Sequence, residues 1–412
     1  MQANGERLWN SIMEMSRLGL TADGGFERIA LTDADKNGRD LFVRWCKEAG
    51  CEVNIDAIGN IFARRHGRQA GARPILIGSH LDTVPNGGRF DGTLGVMVGL
   101  EAIRSLNDAS VSTERPIDIV VWTDEESVRF PCNKVGSAAF SGHYRKDEAL
   151  RFRDGAGISI GDELRRIGYA GDYELACESV AAYFEVHIEQ GPVLERAAKT
   201  IGIVKGAQGQ QFLEIHVDGR RGHAGTVPMA DRRDALVAAA HMICAVPEIV
   251  RNGLGDPGVA TVGSISVAPN ARSTIPGNVR FSIDARHPLP HSLTMIVKRM
   301  EARFSEIAAD HQVGLEIVPL ARRESVKFDD AVIHLFQAAA RALNLPHMDL
   351  YSGAGHDACN LACRVPTGMI FVPCAGGISH HMNESVAPGD ARSAADLILH
   401  AILSSDHPTA FA

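Results

Sequence analysis

No apolar run in this 412-residue sequence approaches the roughly 18 residues that a membrane-spanning helix needs. The opening residues also lack the apolar core of a secretory signal, because Glu6, Arg7, Glu14 and Arg17 are spread through them. An excess of positive charge is missing too: 42 basic residues stand against 50 acidic ones, a net charge of −8. Basic pairs such as Arg220-Arg221 and Arg322-Arg323 are isolated, so neither nucleic acid nor a membrane surface is expected as partner. The eight cysteines form no C-x-x-C pair, and Cys359 and Cys363, four apart, simply share a helix face. They are expected to be reduced thiols in a cytoplasmic protein. Internal repeats and low-complexity stretches are absent as well.

What remains is an ordinary globular composition, 45% hydrophobic and 22% charged, on a chain too long for one core. Apolar spacing predicts helices over 7–18 and 34–49, the second capped by Thr32 or Asp33. A strand-like alternation follows from Cys51 to Ala63. Buried strands are expected at 75–79 and 117–123, with a helix over 94–106 between them. Strands alternating with helices predict an α/β sheet. Near Gln211 the texture changes. Residues 212–218 alternate like a half-exposed strand, followed by a helix (231–246), strands (260–267 and 279–285), a helix (293–311) and a strand (314–319). This reads as a small α+β domain, spanning 212–327, inserted into a discontinuous first domain of 1–211 and 328–412. A helix over 331–343 and a strand at 369–372 resume the first domain.

Polar clusters stand at the ends of the predicted buried strands. Gly78-Ser79-His80-Leu81-Asp82 follows Ile75-Leu76-Ile77, and Asp91 lies on the glycine-rich loop beyond. His80 and Asp82 share a face, so Asp82 can orient a metal-binding imidazole from behind. Thr123-Asp124-Glu125-Glu126 closes a second strand; one glutamate can bind metal while its neighbour serves as a base. His187 lies in Tyr183 to Pro192, and His380-His381 follows the last core strand. Ligands collect at such strand ends in open α/β sheets. Mixed imidazole and carboxylate donors suit zinc, with manganese, cobalt or nickel as competitors. Five donors with one bridging carboxylate would hold two cations about 3.5–4 Å apart, a hydrolase design.

With these motifs in order, the chain from Arg7 to near His400 resembles the dinuclear zinc amidohydrolases that cleave N-carbamoyl amino acids. That family includes N-carbamoyl-L-amino-acid hydrolases, β-ureidopropionases and allantoate amidohydrolases, within the aminoacylase and zinc-exopeptidase group. The matching segments are Gly78 to Asp82, Gly87 to Gly92, Glu125-Glu126, His187 to Pro192, His223 to Met229, Ser352 to Asp357 and Gly377 to His380. The resemblance implies a zinc-exopeptidase-like catalytic domain with a mixed central sheet, interrupted by a ferredoxin-like dimerisation domain. It implies two divalent ions per subunit. His80, Asp91 and His187 would hold one, Glu126 and His380 the other, with Asp91 bridging; His380 is preferred over His381 because it follows Ser379.

Glu125 would be the general base, Asp82 a catalytic residue through its hold on His80, and His223 an oxyanion donor reaching the partner subunit of a homodimer. Arg286 would clamp a substrate carboxylate, and Gln190, Gly355 and His356 would line the pocket. The inserted domain would hinge over substrate. Two departures concern the substrate: Ser273 stands where an asparagine is usual, and Ser127 where glycine or alanine is. The implied substrate is a small ureido acid, an N-carbamoyl-L-α-amino acid or N-carbamoyl-β-alanine. Allantoate is the alternative, followed by a deacylase or dipeptidase substrate and, most remotely, a non-catalytic binding or scaffolding relative.

Overall fold

The computed structural model describes residues 1–69, 71–251, 257–407 and 410–411. The chain divides into two compact units: residues 1–205 with 327–350 and 355–412, and residues 206–326 with 351–354.

The first unit is built on strands β1 (Glu52–Ile55), β2 (Ile61–Arg65), β3 (Ile75–His80), β4 (Ile117–Trp122), β5 (Ala182–Ile188) and β6 (Ile201–Ala207). In the second unit follow β7 (Gly209–Asp218), β8 (Gly222–His223), β9 (Val259–Ala268), β10 (Thr274–Ile275), β11 (Asn278–His287) and β12 (Gly314–Arg323). The chain then adds β13 (Val326–Lys327), β14 (His347–Ser352) and β15 (Thr367–Val372).

Nine strands form one mixed sheet in the order β1-β2-β4-β3-β5-β15-β6-β13, with β14 paired to β6. Its centre, β4-β3-β5-β15, is parallel. These four strands are buried along their whole length, which is why they read as unbroken apolar runs. Because they run the same way, their carboxyl ends lie along one edge. The helix Thr93–Asp108 packs across β3 and β5, and Gly95 permits the approach: a Cβ there would lie 2.3 Å from the Val186 carbonyl oxygen. The helices Asp330–Ala342 and Pro388–Ser405 pack on β15.

The second unit runs strand, helix, strand, strand, helix, strand, with an antiparallel sheet in the order β12-β7-β11-β9. This is the ferredoxin-like connection pattern. Leu213, Ile215 and Val217 of β7 and Val279, Phe281 and Ile283 of β11 point into its core, against the helices Ala235–Arg251 and Pro290–Asp310. Their alternation with half-buried or exposed polar residues is the period-two signal seen in the sequence.

Some expectations shift. The boundary comes earlier than residue 211, because Gly209 to Gln211 already pair in register with β11 and the short Tyr351–Ala354 segment joins the second unit. The alternating stretch from Cys51 to Ala63 is not one strand but a hairpin, since Asp56 Oδ1 accepts from the Ile58 and Asn60 amides and turns the chain. The helix expected at 231 starts at Ala235, where Asp234 Oδ1 accepts from the amides of Leu236 and Val237. All eight cysteines are free thiols. Among the described residues no helix is long and apolar enough to cross a membrane.

Candidate active site

Each of the parallel core strands delivers polar side chains to the same edge. His80 is the last residue of β3, Glu125 and Glu126 follow β4, His187 lies near the end of β5, and His380 follows β15 beyond a short turn. Asp91 sits at the centre. Its Oδ1 lies 2.9 Å from His187 Nε2 and 3.5 Å from His80 Nε2. Its Oδ2 lies 3.4 Å from His380 Nε2, which is 3.5 Å from Glu126 Oε2. Two donor triads therefore share one carboxylate: His80, Asp91 and His187 on one side, Asp91, Glu126 and His380 on the other. Within each, one donor atom per residue lies within 4.8 Å of the others. His80 and His187 are buried, whereas the His380 side chain is 49% exposed, so the cage opens on that side.

The donor set fits divalent metal. His80 Nε2 and Glu126 Oε1 are buried with no hydrogen-bond partner among the described residues. Three carboxylates, Asp91, Glu125 and Glu126, crowd one point. Burial first, then Asp91 and Glu125, push the Glu126 carboxyl well above the usual carboxylate range. Burial would also raise Asp91, but the imidazoles of His187, His380 and His80 hold it well below. Cations between the two triads would relieve this crowding.

The supports behind the cage fix the ring tautomers. His80 Nδ1 lies 2.9 Å from the Asp82 backbone carbonyl, and His187 Nδ1 lies 2.9 Å from that of Ile188. A carbonyl only accepts, so each Nδ1 carries the proton and each Nε2 lone pair faces the cage. Asp82 stands behind His80 with both its groups: the backbone oxygen accepts from Nδ1, and the carboxylate Oδ1 lies 3.7 Å from the same nitrogen. Its carboxylate also accepts the amides of Glu125 (3.3 Å) and Glu126 (3.1 Å) and shapes their loop. Gly92, at φ +63, lies against the His80 ring, where a Cβ would come within 2.4 Å of Nε2.

Three supporting residues escaped the sequence reading. Glu384 Oε1 accepts from the amides of Phe90 and Asp91 at 2.8 and 3.1 Å, anchoring the Asp91 loop; burial, then Asp91, raises its carboxyl to about 7. Glu185 accepts from Ser79, Tyr183 and the Ala358 amide beneath His187. Lys134 places Nζ 3.0 Å from Glu125 Oε1. Glu384 stands four after His380, and Glu185 two before His187 on the same strand face, so both had a spacing signal. Lys134 had none.

Glu125 belongs to neither triad, and its Oε2 faces His80 Nε2 at 3.7 Å. Burial alone would raise its carboxyl, but Lys134 and His80 bring it below the ordinary range. His356 is buried with its ring centroid 4.4 Å from that of His187; burial, then His187 and Lys134, keep it well below the ordinary imidazole range and so neutral. Gln190 Nε2 donates to Asp91 Oδ2 at 2.9 Å. Gly355 lies beside Lys134 Cε. Non-glycine residues with left-handed φ gather here: Asp124, Ser127, Lys134, Gln190 and His380. Such strain concentrates at functional sites.

His223, Ser273 and Arg286 lie in the second unit. His223 is exposed on β8, and its Nδ1 accepts from the amides of Gly225 and Thr226, which leaves Nε2–H as a donor. The Ala224 amide donates to the Ser273 carbonyl at 2.9 Å, and His223 pairs with Thr274. Arg286 donates from Nη2 to Asp284 Oδ2 at 2.7 Å and from Nη1 to the Gly353 carbonyl at 2.6 Å.

A cage of imidazoles and carboxylates with a glutamate beside it that belongs to neither triad, at the carboxyl edge of a parallel sheet, defines a metal-dependent hydrolase. The chain belongs to peptidase family M20/M25/M40, whose pattern matches residues 76–404. It is similar to the N-carbamoyl-L-amino-acid amidohydrolase of Rhizobium meliloti, 42% identical over 405 residues that cover 98% of this chain and 97% of that one. It is also similar to allantoate deiminase 1 of Glycine max, 33% identical over 93% of this chain and 86% of that one. A crystal structure of an amidase of the hydantoinase/carbamoylase family from Burkholderia multivorans superposes with a TM-score of 0.94 at 48% identity, covering 98% of each chain. The family resemblance and the hydrolase class read from the motifs both stand.

Proposed function

We propose that this enzyme hydrolyses the ureido C–N bond of N-carbamoyl amino acids, releasing the amino acid, ammonia and carbon dioxide. The observation that carries the reading is the pair of donor triads sharing Asp91, with Glu125 beside them and outside both. N-carbamoyl-L-amino-acid amidohydrolases among the relatives support the substrate class. His80, Asp91 and His187 would hold one divalent ion and Asp91, Glu126 and His380 a second, with zinc the first candidate and manganese, cobalt or nickel the others. The chemistry they would supply when bound is a lowered pKa for water at the site and polarisation of the carbonyl.

The protein supplies the rest. Glu125 takes a proton from the attacking water and returns it to the leaving amine, so that nitrogen departs neutral. The carbamic acid released then breaks into ammonia and carbon dioxide. His223 offers its Nε2–H to the tetrahedral oxyanion, entering from the partner subunit of a homodimer. Arg286 binds the substrate carboxylate, and Gln190, Ser273, Gly355 and His356 line the site. Sedimentation equilibrium checks the dimer: a mass near twice 44.2 kDa is expected, and a monomer removes the shared His223.

An ammonia-release screen of metal-loaded enzyme tests the substrate. N-carbamoyl-L-α-amino acids and N-carbamoyl-β-alanine are compared with allantoate. Release from allantoate alone would replace the reading with an allantoate amidohydrolase, which the deiminase relatives make the second candidate. Arg286→Ala is expected to raise KM about 10- to 100-fold, the worth of a charged hydrogen-bond pair, with kcat within about threefold. An unchanged KM removes the clamp.

A further inference from the structure

Lys134 sits at the start of the short helix Val135–Phe140, and its position is fixed from several sides. Its backbone is left-handed, φ 50 and ψ 58, a region disfavoured for any residue with a Cβ. Its amide donates to Ser127 Oγ at 3.0 Å, and that hydroxyl donates to the Glu125 carbonyl at 3.2 Å. Two residues further on, the Gly136 amide donates to the Thr123 carbonyl at 2.9 Å, just past the end of β4. The loop that carries Glu125 therefore closes on the backbone that carries Lys134. Across it, the ammonium lies 3.0 Å from Glu125 Oε1, with the lysine side chain 15% exposed and the glutamate 6%. Glu125 is the only carboxylate in ion-pair range of Lys134 among the described residues. The other glutamate oxygen, Oε2, faces His80 and the cage.

We propose that Lys134 is a positioning residue for Glu125, holding one carboxylate oxygen so that only the other is presented to the reacting water. This rests on the hydrolase reading of the site. A carboxylate on a free side chain rotates about its last torsion and offers either oxygen. A fixed partner at Oε1 removes that freedom and keeps the proton-accepting oxygen in place. The alternative is that the ammonium merely weakens a base, and the two predict opposite signs: loss of Lys134 then leaves kcat unchanged or raises it.

The test compares metal-loaded wild type, Lys134→Met and Lys134→Ala on whichever substrate the wild type turns over. Expected are a kcat at least tenfold lower, a KM within threefold, and the metal content and melting temperature of the wild type. Propylammonium added to Lys134→Ala should recover at least threefold in kcat, which a packing role would not give. A kcat within threefold of wild type, a higher kcat, or a loss confined to KM overturns the proposal.

A second measurement needs no variant at position 134 to fold. In protein carrying ¹⁵N-lysine, an ordered ammonium gives a slowly exchanging Nζ signal, and one such signal should disappear in Glu125→Gln. If no signal responds to Glu125→Gln, the proposal also fails. Should no ureido compound be hydrolysed but an N-acyl amino acid be, the substrate assignment falls, and the same ratios read on that substrate still decide the role of Lys134.

Discussion

Dialysis against a strong chelator is expected to reduce turnover more than about a thousandfold, equivalent to the several kcal/mol that Lewis-acid stabilisation supplies. Zinc, manganese, cobalt or nickel added back should restore it. The same treatment should lower the melting temperature. Asp91, Glu125 and Glu126 are ringed by imidazoles, and Lys134 is the only lysine or arginine paired with any of them among the described residues. Metal present at a thousand times its dissociation constant adds about 4 kcal/mol per site. Two sites together add about 8 kcal/mol, and for a chain of this size, which moves only about 1 °C per kcal/mol, that is a shift of about 5–10 °C. Calorimetry with and without chelator reads the stability, and elemental analysis reads the ions. Unchanged turnover in protein shown to be free of metal would remove the hydrolytic mechanism.

The sequence disclosed much of this centre because its chemistry stands where strands end. The run Ile75-Leu76-Ile77 is apolar because β3 is covered on both faces, and the polar residues after it lie at the sheet edge. The same contrast marks β4 and β5. Period-two alternation likewise exposed the strands of the second unit, where β7 buries one face only. The hairpin of β1 and β2 was hidden, since a five-residue turn led by Asp56 keeps the polar alternation running between two strands. Strand β6, strand β14 and the helix Pro388–Ser405 were missed as well.

Within the site, spacing could suggest donors but could not pair them. Which residues share a triad depends on the strand order β4-β3-β5-β15, and none of those neighbours is fixed by sequence distance. The grouping expected from the family resemblance has the same membership as the two triads in space. Lys134 lay beyond any local pattern. It meets Glu125 because the loop after β4 folds back at Gly136, a closure made by one backbone hydrogen bond and by the Ser127 hydroxyl, and neither gives a spacing pattern that points to Lys134.

Glu125→Gln is expected to lower kcat by about 10³- to 10⁴-fold, the upper range for one general acid–base group, because a single residue handles the proton in both directions. The substitution keeps the volume and the hydrogen-bonding reach of the side chain but cannot accept a proton. Metal content should be unchanged, since neither triad uses Glu125 as a donor. KM should move little, because the ureido acid is held by other groups. Those two controls separate the proton-transfer role from a structural one. Loss of metal along with activity would make Glu125 a ligand, and its Oε2, 3.7 Å from His80 Nε2, is near enough for that outcome to be informative. A kcat within tenfold of wild type would instead assign the proton to another group. Glu126 is the nearest candidate, and its carboxyl, raised by burial and by Asp91, would then act while bound at the cage. The pattern of metal content against kcat therefore decides among three roles for two adjacent glutamates with one substitution.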